Sequence, residues 1–168
     1  MSWTRCISFA ALAAVLVLAG CQPDDVVPLK IGSKAPPFTL DLVDGRTLDS
    51  KVSEGNGRVI AFTASWCPCT IESMPLMKQA YARFKEQDIA FLMIGIQDAE
   101  SKFGDFVARK KVPFPAGYDD GDKIARAYGV TAPPTTIFVD RTGQVKRVFF
   151  GNIKDKETEF LRWTEELL

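Results

Sequence analysis

The stretch Arg58-Val59-Ile60-Ala61-Phe62-Thr63-Ala64-Ser65-Trp66-Cys67-Pro68-Cys69-Thr70-Ile71-Glu72-Ser73-Met74-Pro75 decides how this chain folds. Its first six residues are a short β-prone run that follows a Gly55-Asn56-Gly57 turn. From Cys69 to Gln87 the apolar residues Ile71, Met74, Met77, Ala80, Tyr81 and Phe84 recur mostly at intervals of three or four, which predicts an amphipathic helix with a kink at Pro75. Cys67 and Cys69 therefore stand where a strand passes into a helix. Unpaired backbone N–H groups and the positive end of the helix dipole stabilise a thiolate there, and the thiolate is the reactive form of cysteine.

Working outward, strands and helices alternate. Pro36-Pro37-Phe38-Thr39-Leu40 and Arg46-Thr47-Leu48 flank Asp44-Gly45, a hairpin signal. Ile89 to Ile96 is a continuous apolar run, as in a strand covered on both faces. Ala99 to Lys111 and Asp122 to Tyr128 read as helices, with Asp98 as the cap of the first. Thr135 to Asp140 and Gln144 to Phe150 form a second hairpin around Arg141-Thr142-Gly143. A last helix is predicted from Asp155 to Leu168, with Phe160, Trp163, Thr164 and Leu167 on one face and Asp155 and Glu157 in its first turn. The order β-β-β-α-β-α-α-β-β-α predicts an α/β fold, a mixed central sheet flanked by helices.

Composition narrows the chemistry. The 168 residues carry 21 Lys and Arg against 21 Asp and Glu, a formal net charge of zero, which argues against a nucleic-acid partner. The chain has no histidine, so it offers neither a Ser-His or Cys-His pair nor an imidazole metal site, and no metal or cofactor is expected. Four cysteines remain to be placed: Cys6, Cys21, Cys67 and Cys69.

Residues 1–20 read as an export signal: Arg5 precedes an apolar core of about 13 residues, too short for a bilayer that takes about 20. It ends in Leu18-Ala19-Gly20-Cys21, which resembles the lipobox of bacterial lipoproteins and makes Cys21 the lipidated first residue. Residues 21–29, polar and proline-bearing, are the expected tether, and residues 30–168 the folded domain. The expectation is a domain in the bacterial cell envelope, lipid-anchored and facing the periplasm. Gln22, in place of the Asp that resembling lipoproteins use for inner-membrane retention, leans it toward the outer membrane. Export leaves Cys67 and Cys69 as the only thiols in the domain. One residue apart, they close too short a loop to staple a fold, so their role is chemical.

Phe62-Thr63-Ala64-Ser65-Trp66-Cys67-Pro68 with Met74-Pro75, Ala127-Tyr128-Gly129-Val130, and Pro134-Thr135-Thr136-Ile137-Phe138-Val139-Asp140 with Gly143 together resemble the TlpA/ResA-like branch of the thioredoxin superfamily. Ala35 to Leu40 with Asp44-Gly45 is similar to the opening hairpin of that branch. The resemblance implies a thioredoxin-like fold with an N-terminal β-hairpin extension, and thiol:disulfide exchange with protein clients and a redox-recycling partner. It makes Cys67 the exposed nucleophile, Trp66 its flanking platform and Pro134 a cis-proline facing the cysteines. Pro68 and Pro133 complete the substrate-binding set, Pro133 offering a client backbone an acceptor but no N–H.

The active-site pair departs from the family pattern Trp-Cys-x-x-Cys. Trp66 and Pro75 keep the family spacing of nine, but the second cysteine is one place early, and Thr70 stands where the resolving cysteine belongs. Were the whole segment helical, residues two apart would point about 200° apart, so a Cys67–Cys69 disulfide would be strained, labile and oxidising or isomerising in character. The buried acid that resembling proteins carry five residues before the tryptophan is replaced by Ala61, which leaves Glu72 as the candidate base.

Two other functions fit parts of the pattern. Cys69-Thr70-Ile71-Glu72 looks like the Cys-Thr-x-Glu of some peroxiredoxins, a thiol peroxidase, but the Thr or Ser three residues before the cysteine is Ala64 or Trp66 here. A Cu(I) site from Cys67, Cys69 and Met74 would suit a soft ion, but lacks the histidine that resembling copper carriers supply. Peroxide consumption, Cu(I) retention and turnover of a mixed disulfide separate the three.

Overall fold

The computed structural model describes residues 26–168. The expected export signal, Cys6, Cys21, Gln22 and most of the expected tether lie outside the described residues. A two-stranded hairpin opens the domain, β1 (Thr39–Asp41) with β2 (Thr47–Asp49), in register Thr39 with Asp49 around the Asp44-Gly45 turn. Then come β3 (Gly57–Thr63), α1 (Pro68–Phe84), β4 (Ile89–Gly95), α2 (Glu100–Lys110), β5 (Ala116–Tyr118), α3 (Lys123–Ala127), β6 (Thr135–Val139), β7 (Val145–Phe150) and α4 (Glu157–Glu165). The main sheet has the order β5-β4-β3-β6-β7, with β3 parallel to β4 and antiparallel to β6. The mixed α/β sheet and the N-terminal hairpin are as the sequence implies. Among the described residues no helix is long and apolar enough to cross a membrane.

All seven residues of β3 are buried, because strands pair on both sides of it and apolar layers cover both its faces. Alternation along the strand sorts its side chains. Val59 and Ala61 join Met74, Met77 and Phe84 of α1 and Phe160 and Trp163 of α4, whereas Ile60 and Phe62 join Leu40 of the hairpin, Ile124 of α3 and Tyr128 just after it. The Tyr128 hydroxyl donates to the Pro36 carbonyl at 2.7 Å, tying the hairpin approach to that second layer.

Three elements differ from expectation. β5 was not predicted: three residues centred on a glycine carry no periodicity, and the segment is a strand only because it adds to the edge of β4 through Met93 to Gly95. A Cβ on Gly117 would lie 2.4 Å from the Asp41 carbonyl oxygen, so the hairpin crosses here only because the residue is glycine. α4 is shorter at both ends than predicted, and Asp155 falls before its first turn, which holds Glu157 and Glu159. α1 begins at Pro68, one residue before the predicted start, and runs unbroken past Pro75 to Phe84.

Packing is tight at the end of β4. A Cβ on Gly95 would come within 2.5 Å of the ring of fully buried Phe103. Gly95→Ala is expected to destabilise the domain by about 1–3 kcal/mol through overpacking, read as a lower urea midpoint at unchanged slope.

Candidate active site

Cys67 lies just beyond the carboxyl end of β3, at the point in the sheet where connections diverge to either side, a common location for sites in α/β folds. It is the N-cap of α1, with extended backbone (φ −82°, ψ 119°), and its carbonyl accepts the first helical bonds from Thr70 N at 3.1 Å and Ile71 N at 3.3 Å. Pro68 follows at the first helical position, where a missing N–H costs nothing. Cys67 is therefore not on the helix, and the diverging geometry of two helical residues does not apply to the pair.

Cys67 is not the exposed thiol that the resemblance implies: it is buried, 7% exposed, with its sulfur 3.9 Å from the Pro133 carbonyl oxygen of the proline loop that packs against it, and the Pro133-Pro134 bond is cis. Pro133 and Pro134 are half-buried and Pro68 exposed. The Pro134 carbonyl accepts from Gly151 N at 2.8 Å, which joins the proline loop to the segment after β7. Trp66 is 58% exposed, a broad apolar surface beside the thiol. Its indole Nε1 donates to the Gln97 carbonyl at 2.8 Å, and the Gln97 side chain donates to the Thr131 carbonyl at 2.8 Å. The tryptophan is thereby latched to the loop that carries the prolines.

Asp98 does something the sequence did not show. Its Oδ2 accepts from Ser65 N at 2.5 Å and its Oδ1 from the adjacent Ala99 N, while the N-cap of α2 is Ala99, without a side-chain cap. The expected helix cap is instead a brace on the Ser65-Trp66-Cys67 turn. The sequence signal was the acid itself at the end of an apolar strand; its partner 33 residues away carried none.

Cys69 is partly exposed in the first turn of α1, and both thiols are free. Burial first, then the neighbouring Cys67 thiol and the Glu72 carboxylate, push the Cys69 thiol above its ordinary value. Glu72, exposed on the next turn, is held by Lys154 Nζ at 3.0 Å and Asn152 Nδ2 at 2.5 Å. The Lys154 ammonium keeps its carboxyl below the usual carboxylate range. Ser73 completes this contact: its hydroxyl lies 2.7 Å from the Cys69 carbonyl oxygen and accepts from Ile153 N at 3.3 Å. Asn152 and Lys154, from the loop between β7 and α4, belong to the site but had no sequence signal. Thr70, in the place of a second cysteine, is 1% exposed, and its hydroxyl has no hydrogen-bond partner among the described residues. Met74 packs in the core with Val59 and Met93, and Ala61 lies in the same layer.

Residues 30–161 match the family model described as Redoxin. The chain belongs to the redoxin family. Over 128 residues this redoxin is 31% identical to the thiol-disulfide oxidoreductase ResA of Geobacillus thermodenitrificans, covering 76% of this chain and 73% of that one. It is 29% identical over 136 residues to ResA of Bacillus thuringiensis subsp. konkukian, covering 80% and 78%. In structure it resembles a Chlorobium tepidum protein assigned as the thiol:disulfide interchange protein DsbE, with a TM-score of 0.78, 25% identity, and coverage of 83% of this chain and 98% of the other. It also resembles MTB DsbF, solved in mixed oxidized and reduced forms, with a TM-score of 0.71, 26% identity, and coverage of 78% and 95%.

Proposed function

We propose that this redoxin is a lipid-anchored thiol:disulfide oxidoreductase of the cell envelope, exchanging disulfides with protein clients through Cys67 and Cys69. The activity class is that of its ResA relatives. The observation that carries the site assignment is the Cys67 sulfur at the start of α1, 3.9 Å from the carbonyl of a proline in a cis pair, with a second thiol two residues on in the first helical turn.

The chemistry balances without a cofactor. The Cys67 thiolate attacks one sulfur of a client disulfide; that S–S bond breaks, a Cys67–client bond forms, and the other client sulfur leaves as a thiolate. The Cys69 thiolate then attacks the Cys67 sulfur, expelling the second client thiolate and leaving a Cys67–Cys69 disulfide. Reversed, the same steps oxidise a dithiol client. A redox partner returns the pair to its starting state. Trp66 and exposed Pro68 give the client apolar contact, and the Pro133 carbonyl accepts from its backbone.

In this proposal Glu72 acts on Cys69 through its charge and Lys154 tempers that charge. Glu72→Gln removes a negative neighbour, so the Cys69 thiol falls and the pH profile of the resolving step moves to lower pH. Lys154→Met bares the carboxylate, so the profile moves to higher pH. Stopped-flow rates of resolution across pH 6–10 check both signs. A uniform loss of rate in Glu72→Gln with no pH shift would instead make the carboxylate the base.

Membrane attachment is tested by Cys21→Ala. The variant is expected in the soluble envelope fraction with exchange of a disulfide-bonded peptide intact, whereas the parent stays with membranes and carries an N-terminal mass increase of lipid. A parent chain that carries no lipid mass at Cys21 would remove the anchor from the proposal. Peroxide turnover faster than disulfide exchange would favour a thiol peroxidase.

A further inference from the structure

At the opposite end of β3 from Cys67, Arg58 is 9% exposed yet enters no ion pair among the described residues. Its Nη1 reaches only the Ser50 carbonyl at 3.4 Å, and its Nε has no partner. A guanidinium stays protonated at any physiological pH, so burial cannot be relieved by losing the proton, as a lysine would lose it. A buried charge in that condition calls for a counter-ion.

The surroundings are built for one. Arg58 lines a cavity of about 350 Å³ with Lys34, Lys51 and Arg141, four cations against the single carboxylate of Glu54. Gly143 forms part of the wall at φ +78°, and a Cβ there would lie 3.5 Å from Arg58 Nη2 and 3.8 Å from Lys34 Nζ. Two cationic groups thus converge over a spot that carries no side chain. The acids of the neighbouring turns do not pair with Arg58 or with Lys34, whose Nζ donates to the Thr142 carbonyl. Asp140 accepts from Thr142 N, Thr142 Oγ1 and Gln144 N at 2.7–3.0 Å, and Asp88 faces Arg141 at 3.9 Å.

We propose that this cavity is a binding site for a phosphate group, with Arg58 and Lys34 as its principal donors and Arg141 and Lys51 at its rim. Phosphate fits because its oxygens accept the fork of a guanidinium and the point charge of an ammonium together. The group arrives either as free phosphate or as the phosphodiester of a lipid headgroup, and two soluble probes separate these sources.

The full chain is titrated with inorganic phosphate and, separately, with glycerophosphoglycerol, at constant ionic strength balanced with chloride, followed by calorimetry and by phosphorus NMR of the probe. The expected result is saturable binding at one site per chain, displaced by sulfate, with the tighter probe naming the source. Arg58→Gln abolishes it. Because a buried arginine variant can fail to fold, Lys34→Gln with Arg141→Gln provides a surface pair expected to weaken binding about tenfold or more, with peptide disulfide exchange unchanged. No saturation with either probe, or an affinity unchanged in the surface pair, overturns the proposal.

Discussion

Cys69→Ser is expected to stop the reaction halfway, with a client peptide held on Cys67 as a stable mixed disulfide that accumulates to about one per chain. The reason is placement. Cys67 caps the helix and meets the proline loop, whereas Cys69 sits in the first helical turn, near Glu72, with a thiol that burial and its neighbours push up. The attacking group in thiol exchange is the thiolate, so Cys69, whose thiol is pushed up, acts second, once the Cys67 sulfur is bound in the mixed disulfide beside it. Cys67→Ser removes the attacking sulfur and should lower exchange by roughly three orders of magnitude or more. Intact mass of the trapped species after alkylation, followed by peptide mapping, places the linkage. A linkage on Cys69 in the Cys67→Ser protein, formed as fast as the trap on Cys67, would reverse the roles.

The sequence showed most clearly what chain neighbours decide. The run from Arg58 to Phe84 reads as strand, cysteine turn and helix because the apolar period changes within it, and the structure has those elements in that order. What stayed hidden depends on distant partners. Ala116 to Tyr118 is a strand only against β4, and Asp98 is a brace only because Ser65 folds back onto it. Glu72 meets Lys154 across 82 positions, so its charge was legible but its counter-ion was not. The Cys67 backbone illustrates a subtler case: Pro68 fits the first helical position, which leaves Cys67 as the extended residue outside the helix.

The extended Cys67 backbone changes the redox behaviour expected of the pair. With Cys67 extended and Cys69 helical, the sulfurs do not start on opposite sides of a helix, and the Cys67 thiol is near enough to raise that of Cys69. A bridge still has to close across one residue, Pro68, whose ring fixes φ, so torsions that relax in a wider loop cannot relax here. The closed loop also restricts the unfolded chain very little, so the bridge gains little from chain entropy. Both effects favour the dithiol. The Cys67–Cys69 couple is accordingly expected above about −230 mV, on the oxidising side of thioredoxin at about −270 mV, a difference of more than tenfold in equilibrium constant. Titration in glutathione buffers, with the two states counted by mass after alkylation, measures it. The paired variant Cys69→Ser with Thr70→Cys moves the second thiol to the buried place now held by the Thr70 hydroxyl, where two intervening residues share the closure, and its potential should fall toward that of thioredoxin. A parent couple below about −300 mV, the range of structural disulfides, would show that the one-residue bridge is not strained.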